Sequence, residues 1–156
     1  MKKFNVKFNI NVKIKTYTYQ IFEKDVNKFI QILRNSKFKP KTLVAIATGG
    51  LTFGTKLKNK LNIPLAMISA VSYNGYKQNN LIFNISFTKP IKSPILLIDD
   101  ICDSGFTMYV IYRYFIESGY TVKTVTLFYK EKSIFKPNWY LHKIPDNMWI
   151  KFKLWE

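Results

Sequence analysis

The stretch Ile95-Leu96-Leu97-Ile98-Asp99-Asp100-Ile101-Cys102-Asp103-Ser104-Gly105-Phe106-Thr107 constrains the fold more than any other part of the chain. Four apolar residues run into two carboxylates and then into a short polar turn. A continuous apolar run of strand length predicts a strand covered on both faces, as in a parallel sheet. Adjacent carboxylates fit poorly inside a core, because burying unpaired charge is costly. They fit well at the carboxyl end of a parallel strand, where α/β folds bind ligands. The concentration is unusual for this chain. It has 9 acidic residues against 25 basic ones, and Asp99, Asp100 and Asp103 all fall in this one segment.

At such a place Asp99 and Asp100 can face Mg2+ or the hydroxyls of a sugar. Mg2+ favours one or two carboxylates together with substrate phosphates and water. Asp103-Ser104-Gly105-Phe106-Thr107 has the parts of a phosphate cradle: Gly105 allows unusual backbone angles, and Ser104 and Thr107 offer hydroxyls. The pattern Met108, Val110, Ile111, Tyr114, Phe115 predicts a helix starting here, with its free N–H groups toward an anion. A strand, an acidic turn and a capped helix without any ligand is the plainer alternative for Asp-x-Ser-Gly-x-Thr taken alone.

The rest of the chain reads as strands alternating with helices, which predicts a parallel sheet with helices on its faces. Phe4, Val6, Phe8, Ile10, Val12 and Ile14 alternate with polar residues, a half-buried strand or hairpin signal. Phe22, Val26, Phe29, Ile30 and Leu33 have helical spacing, with Arg34-Asn35-Ser36 as the exit. Leu43 to Ala47 is a short apolar strand, followed by Thr48-Gly49-Gly50 and a helix through Phe53, Leu57 and Leu61. Leu65 to Ile68 and Leu81 to Phe87 read as strands, with the polar stretch Tyr73 to Asn80 between them as a loop. Thr121 to Tyr129 is a further strand, rich in Val and Thr. There are no repeats or interdomain linkers, so 156 residues are expected to form one domain over 1–156.

Composition excludes several function classes. The single cysteine, Cys102, leaves no intramolecular disulfide framework and suits a reducing, cytoplasmic setting. The single histidine, His142, makes a histidine metal site or a Ser-His-Asp triad hard to build. No apolar run approaches the roughly 20 residues of a membrane span, and no signal-peptide block follows Met1-Lys2-Lys3. The formal charge of +16 is almost wholly lysine, with Arg34 and Arg113 the two arginines. Attraction to polyanions, nucleic acid included, is one reading of that charge. Compositional drift is the other, favoured because arginine, which makes bidentate phosphate and base contacts, is nearly absent. A field that draws in small anionic substrates is compatible with either.

The Ile95–Thr107 segment closely resembles the phosphoribosyl-pyrophosphate (PRPP) motif of the type I phosphoribosyltransferases. In that family a hydrophobic strand, two acids and an Asp-Thr/Ser-Gly-x-Thr loop bind the ribose and its 5′-phosphate. The resemblance implies an α/β fold with a mainly parallel central sheet, flanking helices and a small hood. It extends in order over about residues 17 to 156. Residues 1–14 have no counterpart and are expected to form an added strand or hairpin, or an oligomer contact.

Further residues carry the resemblance. Thr48-Gly49-Gly50, taken alone a plain strand-to-helix turn, is in this context similar to the pyrophosphate loop, although purine members usually have a basic residue where Thr48 stands. Lys56 or Lys58 of the next helix is the candidate replacement. Ser72-Tyr73 is placed like the start of the loop that closes over the reaction centre, with an ordinary hairpin connection as the plainer alternative. Phe128-Tyr129-Lys130 puts Lys130 where the family lysine meets the 6-oxo group of a purine. Ile144-Pro145-Asp146-Asn147-Met148-Trp149-Ile150 resembles the C-terminal segment of xanthine-guanine phosphoribosyltransferases, where an aromatic residue stacks on the purine and backbone groups read its edge. That implies Trp149 and Ile150 at the base, with a core tryptophan in a last strand as the plainer alternative.

Together the resemblance implies transfer of phosphoribosyl from PRPP to guanine, xanthine or hypoxanthine. Asp99 and Asp100 would hold the ribose or Mg2+, and Ser104 to Thr107 the 5′-phosphate. Asp103 would be the acid/base beside purine N7. A homo-oligomer, dimer or tetramer, is expected. A regulator of the same fold that binds nucleic acid is the alternative, and the charge and Thr48 both lean toward it.

Overall fold

In the computed structural model of the chain, residues 11–74 and 81–154 are described. They form eight strands and three helices. These are β1 (Lys13–Thr18), α1 (Tyr19–Asn35), β2 (Thr42–Ile46), α2 (Gly50–Leu61), β3 (Leu65–Asn74), β4 (Leu81–Phe87), β5 (Ile95–Cys102), α3 (Phe106–Glu117), β6 (Val122–Lys130), β7 (Trp139–Ile144) and β8 (Met148–Lys153).

Six strands make one sheet in the order β4-β3-β2-β5-β6-β7. Five run parallel, and β4 pairs antiparallel with β3 at the edge. The strand carrying the two carboxylates is therefore flanked on both sides, as its apolar run predicts. β1 and β8 form a separate two-stranded parallel ribbon, Lys13 opposite Met148 through Thr18 opposite Lys153. This is the hood.

Alternation along β5 divides the core. Leu96 and Ile98 belong to a cluster with Phe22, Phe29, Phe53 and Leu57, so α1 and α2 cover that face. Ile95 and Leu97 belong to a cluster with Met108, Ile111 and Phe115, so α3 covers the other. Helix α1 buries Phe22, Val26, Phe29, Ile30 and Leu33, the positions set out by its helical spacing, and Asp25 with them. Thr18 caps its start and Ser36 its end.

Asp99 and Asp100 lie in the carboxyl half of β5, which continues to Cys102. The structure corrects two expectations. Ser72 and Tyr73 lie in β3, paired with Phe83 and Ile82 of β4, and do not begin a loop. The antiparallel partner continues the ladder through a stretch whose polar composition reads as a connection. Of the residues read as that lid loop, 75–80 lie outside the described residues. The N-terminal strand begins at Lys13 and continues to Thr18. Residues 1–10 of the alternating segment lie outside the described residues. Among the described residues no helix is long and apolar enough to cross a membrane.

Candidate functional site

Two strand-to-helix turns and the hood meet at the carboxyl ends of β2, β5 and β6. The turn after β2 holds Thr48, Gly49 and Gly50, preceded by a cis peptide between Ala47 and Thr48. Here the glycines have a steric reason. A Cβ on Gly50 would stand 2.4 Å from the carbonyl oxygen of Ile98, and one on Gly49 would stand 2.4 Å from Asp100 Oδ1. Only a bare backbone brings the start of α2 this close to β5 and its carboxylate.

The turn after β5 is Asp103-Ser104-Gly105. Gly105 has φ +80°, and a Cβ there would meet Ser133 Oγ at 2.1 Å. Helices α2 and α3 both start without a side-chain cap and without an acidic residue in the first turn. Their positive ends remain available to an external anion. A hollow of about 110 Å³ at the α3 end is lined by Asp99, Ile101, Cys102, Asp103, Ser104, Gly105, Thr107 and Met108. Phe106, the first helical residue, donates its N–H to Ser104 Oγ at 3.3 Å.

The two adjacent carboxylates are divided by the pleat. Asp100 continues the Leu96–Ile98 face and borders the glycines and the hood, whereas Asp99 continues the Ile95–Leu97 face and borders the α3 hollow. Burial, then the neighbouring charge of Asp100, pushes the Asp99 carboxyl well above its ordinary range. Burial also raises Asp100. Thr126, the register partner of Asp99 on β6, has a buried hydroxyl without a partner among the described residues. The donor set is all oxygen and carries repelling negative charge, which suits a hard divalent cation. Among the described residues no three ligating side chains cluster, so such an ion would need oxygens from a ligand as well.

The hood side is a larger cavity, about 290 Å³, lined by Asp100, Ile101, Asp103, Lys130, Met148, Trp149, Ile150 and Phe152. It gathers Asp103, Lys130, Trp149 and Ile150, which lie far apart in sequence. Lys130 is only 7% exposed, and its Nζ lies 2.9 Å from Asp103 Oδ1. Trp149 is 63% exposed on β8, so it is not a core residue. Met148, Phe152 and Ile101 complete the wall. Sequence reasoning had not singled them out for this role, since they look like ordinary strand residues.

A third hollow, about 190 Å³, lies against Thr48, Gly49, Thr52, Asp100 and Phe152. No cation lines it. Lys56 instead pairs with Glu23 and donates to Tyr19 Oη at 2.8 Å. Lys58 is in the last turn of α2, about 12 Å along the axis from its start. Neither fills the place of the missing basic residue in this conformation.

The hood is fastened by a buried polar cluster that sequence reasoning missed. Tyr17 of β1 donates its hydroxyl to Asp25 Oδ2 of α1 at 2.6 Å, and His142 Nε2 of β7 lies 2.6 Å from the same oxygen. Burial, then the bond to Asp25, pushes the Tyr17 hydroxyl far above its usual range. His142 stacks on Phe128 at 5.2 Å, and Tyr17 meets Phe152 edge-on at 5.7 Å. The only available signal was an acidic residue at a buried helical position, Asp25 beside Val26.

The model of the phosphoribosyl transferase domain family matches residues 15–153. A purine phosphoribosyltransferase from Pyrococcus horikoshii superposes with TM-score 0.72 at 25% identity, covering 92% of this chain and 94% of that one. A xanthine-guanine-hypoxanthine phosphoribosyltransferase from Helicobacter pylori gives TM-score 0.76 at 22% identity, covering 91% and 92%. A protein from Neisseria gonorrhoeae with bound ppGpp gives 0.73 at 19%, covering 90% and 88%. No functionally curated protein matches the chain.

Proposed function

The chain belongs to the phosphoribosyl transferase domain family, and on that premise we propose that it transfers phosphoribosyl from PRPP to a 6-oxopurine. The C1′–N9 bond forms, the C1′–oxygen bond to pyrophosphate breaks, and the proton displaced from the purine passes to Asp103. The observation that carries the reading is the hood cavity, which sets Lys130 and Asp103 2.9 Å apart beneath an exposed Trp149. A 6-oxopurine offers an acceptor at O6 for Lys130, a nitrogen at N7 for Asp103 and a flat face for Trp149.

Ser104, Gly105, Phe106 and Thr107 would take the 5′-phosphate at the start of α3. Asp99 and Asp100 would hold the ribose hydroxyls, directly or through Mg2+. When bound, Mg2+ would screen the pyrophosphate charge and relieve the repulsion between the two carboxylates. Thr48, Gly49 and Gly50 would face the pyrophosphate with backbone groups alone. Among the described residues the arrangement offers no activated nucleophile. Catalysis would rest on positioning and on stabilising the charge that separates at C1′. PRPP and a purine are therefore the proposed partners, in a homo-oligomer.

A screen of guanine, xanthine, hypoxanthine and adenine with PRPP and Mg2+ tests the proposal. Formation of a 6-oxopurine nucleoside 5′-monophosphate with release of pyrophosphate is the expected result. Absence of turnover with every base, together with salt-steep binding of DNA or RNA, would favour the regulatory reading instead.

A further inference from the structure

The β6–β7 connection starts directly after Lys130 and folds back against the turn that opens α3. Ser133 donates its N–H to the Lys130 carbonyl at 3.0 Å, and Ile134 donates its N–H to the Ser104 carbonyl at 2.9 Å. The Ser133 hydroxyl donates to the Phe135 carbonyl at 2.8 Å and accepts from Phe135 N at 3.3 Å. Cys102 Sγ lies 3.2 Å from both Ser133 Oγ and Phe135 O. Gly105 rests so closely on this hydroxyl that no side chain fits between them. At the first residue of the same turn, Lys130 holds Asp103.

From this we infer that Ser133 is a positioning residue: it braces the Asp103–Thr107 turn from behind and fixes it to the strand end that carries Lys130. Its hydroxyl is the point where Cys102 at the end of β5, Gly105 at the start of α3 and Phe135 of the connection meet. Apart from the long bond of Phe106 N–H to Ser104 Oγ, this left-handed turn has little of its own to keep its N–H groups aimed. The brace supplies that order before any ligand arrives. It also sets the separation between the anion-facing turn and the cavity containing Lys130, so two substrates bound there would meet at a fixed distance.

The inference rests on the proposed transfer reaction, and its test separates the two. PRPP is titrated calorimetrically, with Mg2+, into the wild-type protein and into Ser133→Ala, Ser133→Thr and Lys136→Ala. Lys136 is an exposed residue of the same connection. Loss of the hydroxyl is expected to weaken PRPP binding, and to raise its KM, about fivefold, while kcat, the purine KM and the melting temperature stay near wild type. Ser133→Thr restores the affinity, and Lys136→Ala does not change it. Equal PRPP affinity in wild type and Ser133→Ala overturns the inference alone. So does a Ser133→Ala variant that loses stability without any PRPP-specific effect. A wild-type protein that does not bind PRPP overturns the functional reading and this inference with it.

Discussion

The two halves of the site are built in opposite ways. At the β5–α3 end, Asp99 to Thr107 come from one continuous strand, turn and helix start, with the β6–β7 connection packed behind the turn. At the hood end, Lys130 comes from β6, Trp149 and Ile150 from β8, and the ribbon carrying the last two is held by Tyr17, Asp25 and His142. The first half depends mainly on local backbone geometry, with one connection packed behind it. The second depends on long-range contacts, so the same kind of substitution should damage the two halves differently.

The strongest break should come where the halves touch. Asp103→Asn keeps the side-chain shape but removes the base, and is expected to lower turnover about 10²- to 10⁴-fold while PRPP still binds. Rate and equilibrium titration measured on one preparation would decide it. Unchanged turnover would remove Asp103 from its proposed role.

Asp25→Ala should separate the halves by stability. It leaves the fully buried Tyr17 hydroxyl and His142 without their shared acceptor. A cost of about 3 kcal/mol in denaturant unfolding is expected. Purine affinity should fall with it, and PRPP affinity at the other end much less. Equal losses of both affinities would mean that the hood cluster supports the whole site.

Trp149→Ala should act on the hood end alone. The side chain is 63% exposed, so little folding energy depends on it. Loss of stacking is expected to raise the purine KM about tenfold, with the melting temperature unchanged. A large drop in stability would instead make Trp149 a packing residue.

The smallest effect concerns the β5–α3 end without ligand. The Asp99 carboxyl titrates above its ordinary range because it is buried beside Asp100. The folded state therefore holds a proton that the unfolded chain has released. Stability from this group is complete below the ordinary carboxylate value of about 4, and is lost as pH rises through the raised folded value. Asp99→Asn should raise the melting temperature at neutral pH without Mg2+ or PRPP, and the gain should vanish in acid. The same variant should bind PRPP more weakly. A variant less stable than wild type at neutral pH would contradict this account.

The same contrast explains what could be read from the chain. The β5–α3 end was legible because the apolar run, the acids and the glycine turn are contiguous, and each carries its own local reason. The order of strands and helices followed from periodicity. The pairing of β1 with β8 was not legible, because alternation in the N-terminal segment predicts a strand without naming its partner. Asp25 and His142 are 117 residues apart, and nothing local marks them as a pair. Adjacency in sequence told only part of the story: Asp99 and Asp100 do interact as an acidic pair, but the pleat sets them against different hollows. Ser133 was hidden because its role comes from contact with Gly105, and an isolated serine in a polar connection gives no signal.

The parallel ribbon of β1 and β8 also has a consequence in time. Among the described residues the strand partner of β1 is β8, which is translated more than a hundred residues after it. All of β2, β5 and α3 precede β8, so the turn around Gly105 can form while the wall carrying Trp149 is still being made. A chain that ended before β8 would carry the turn around Gly105 with no hood cavity beside it.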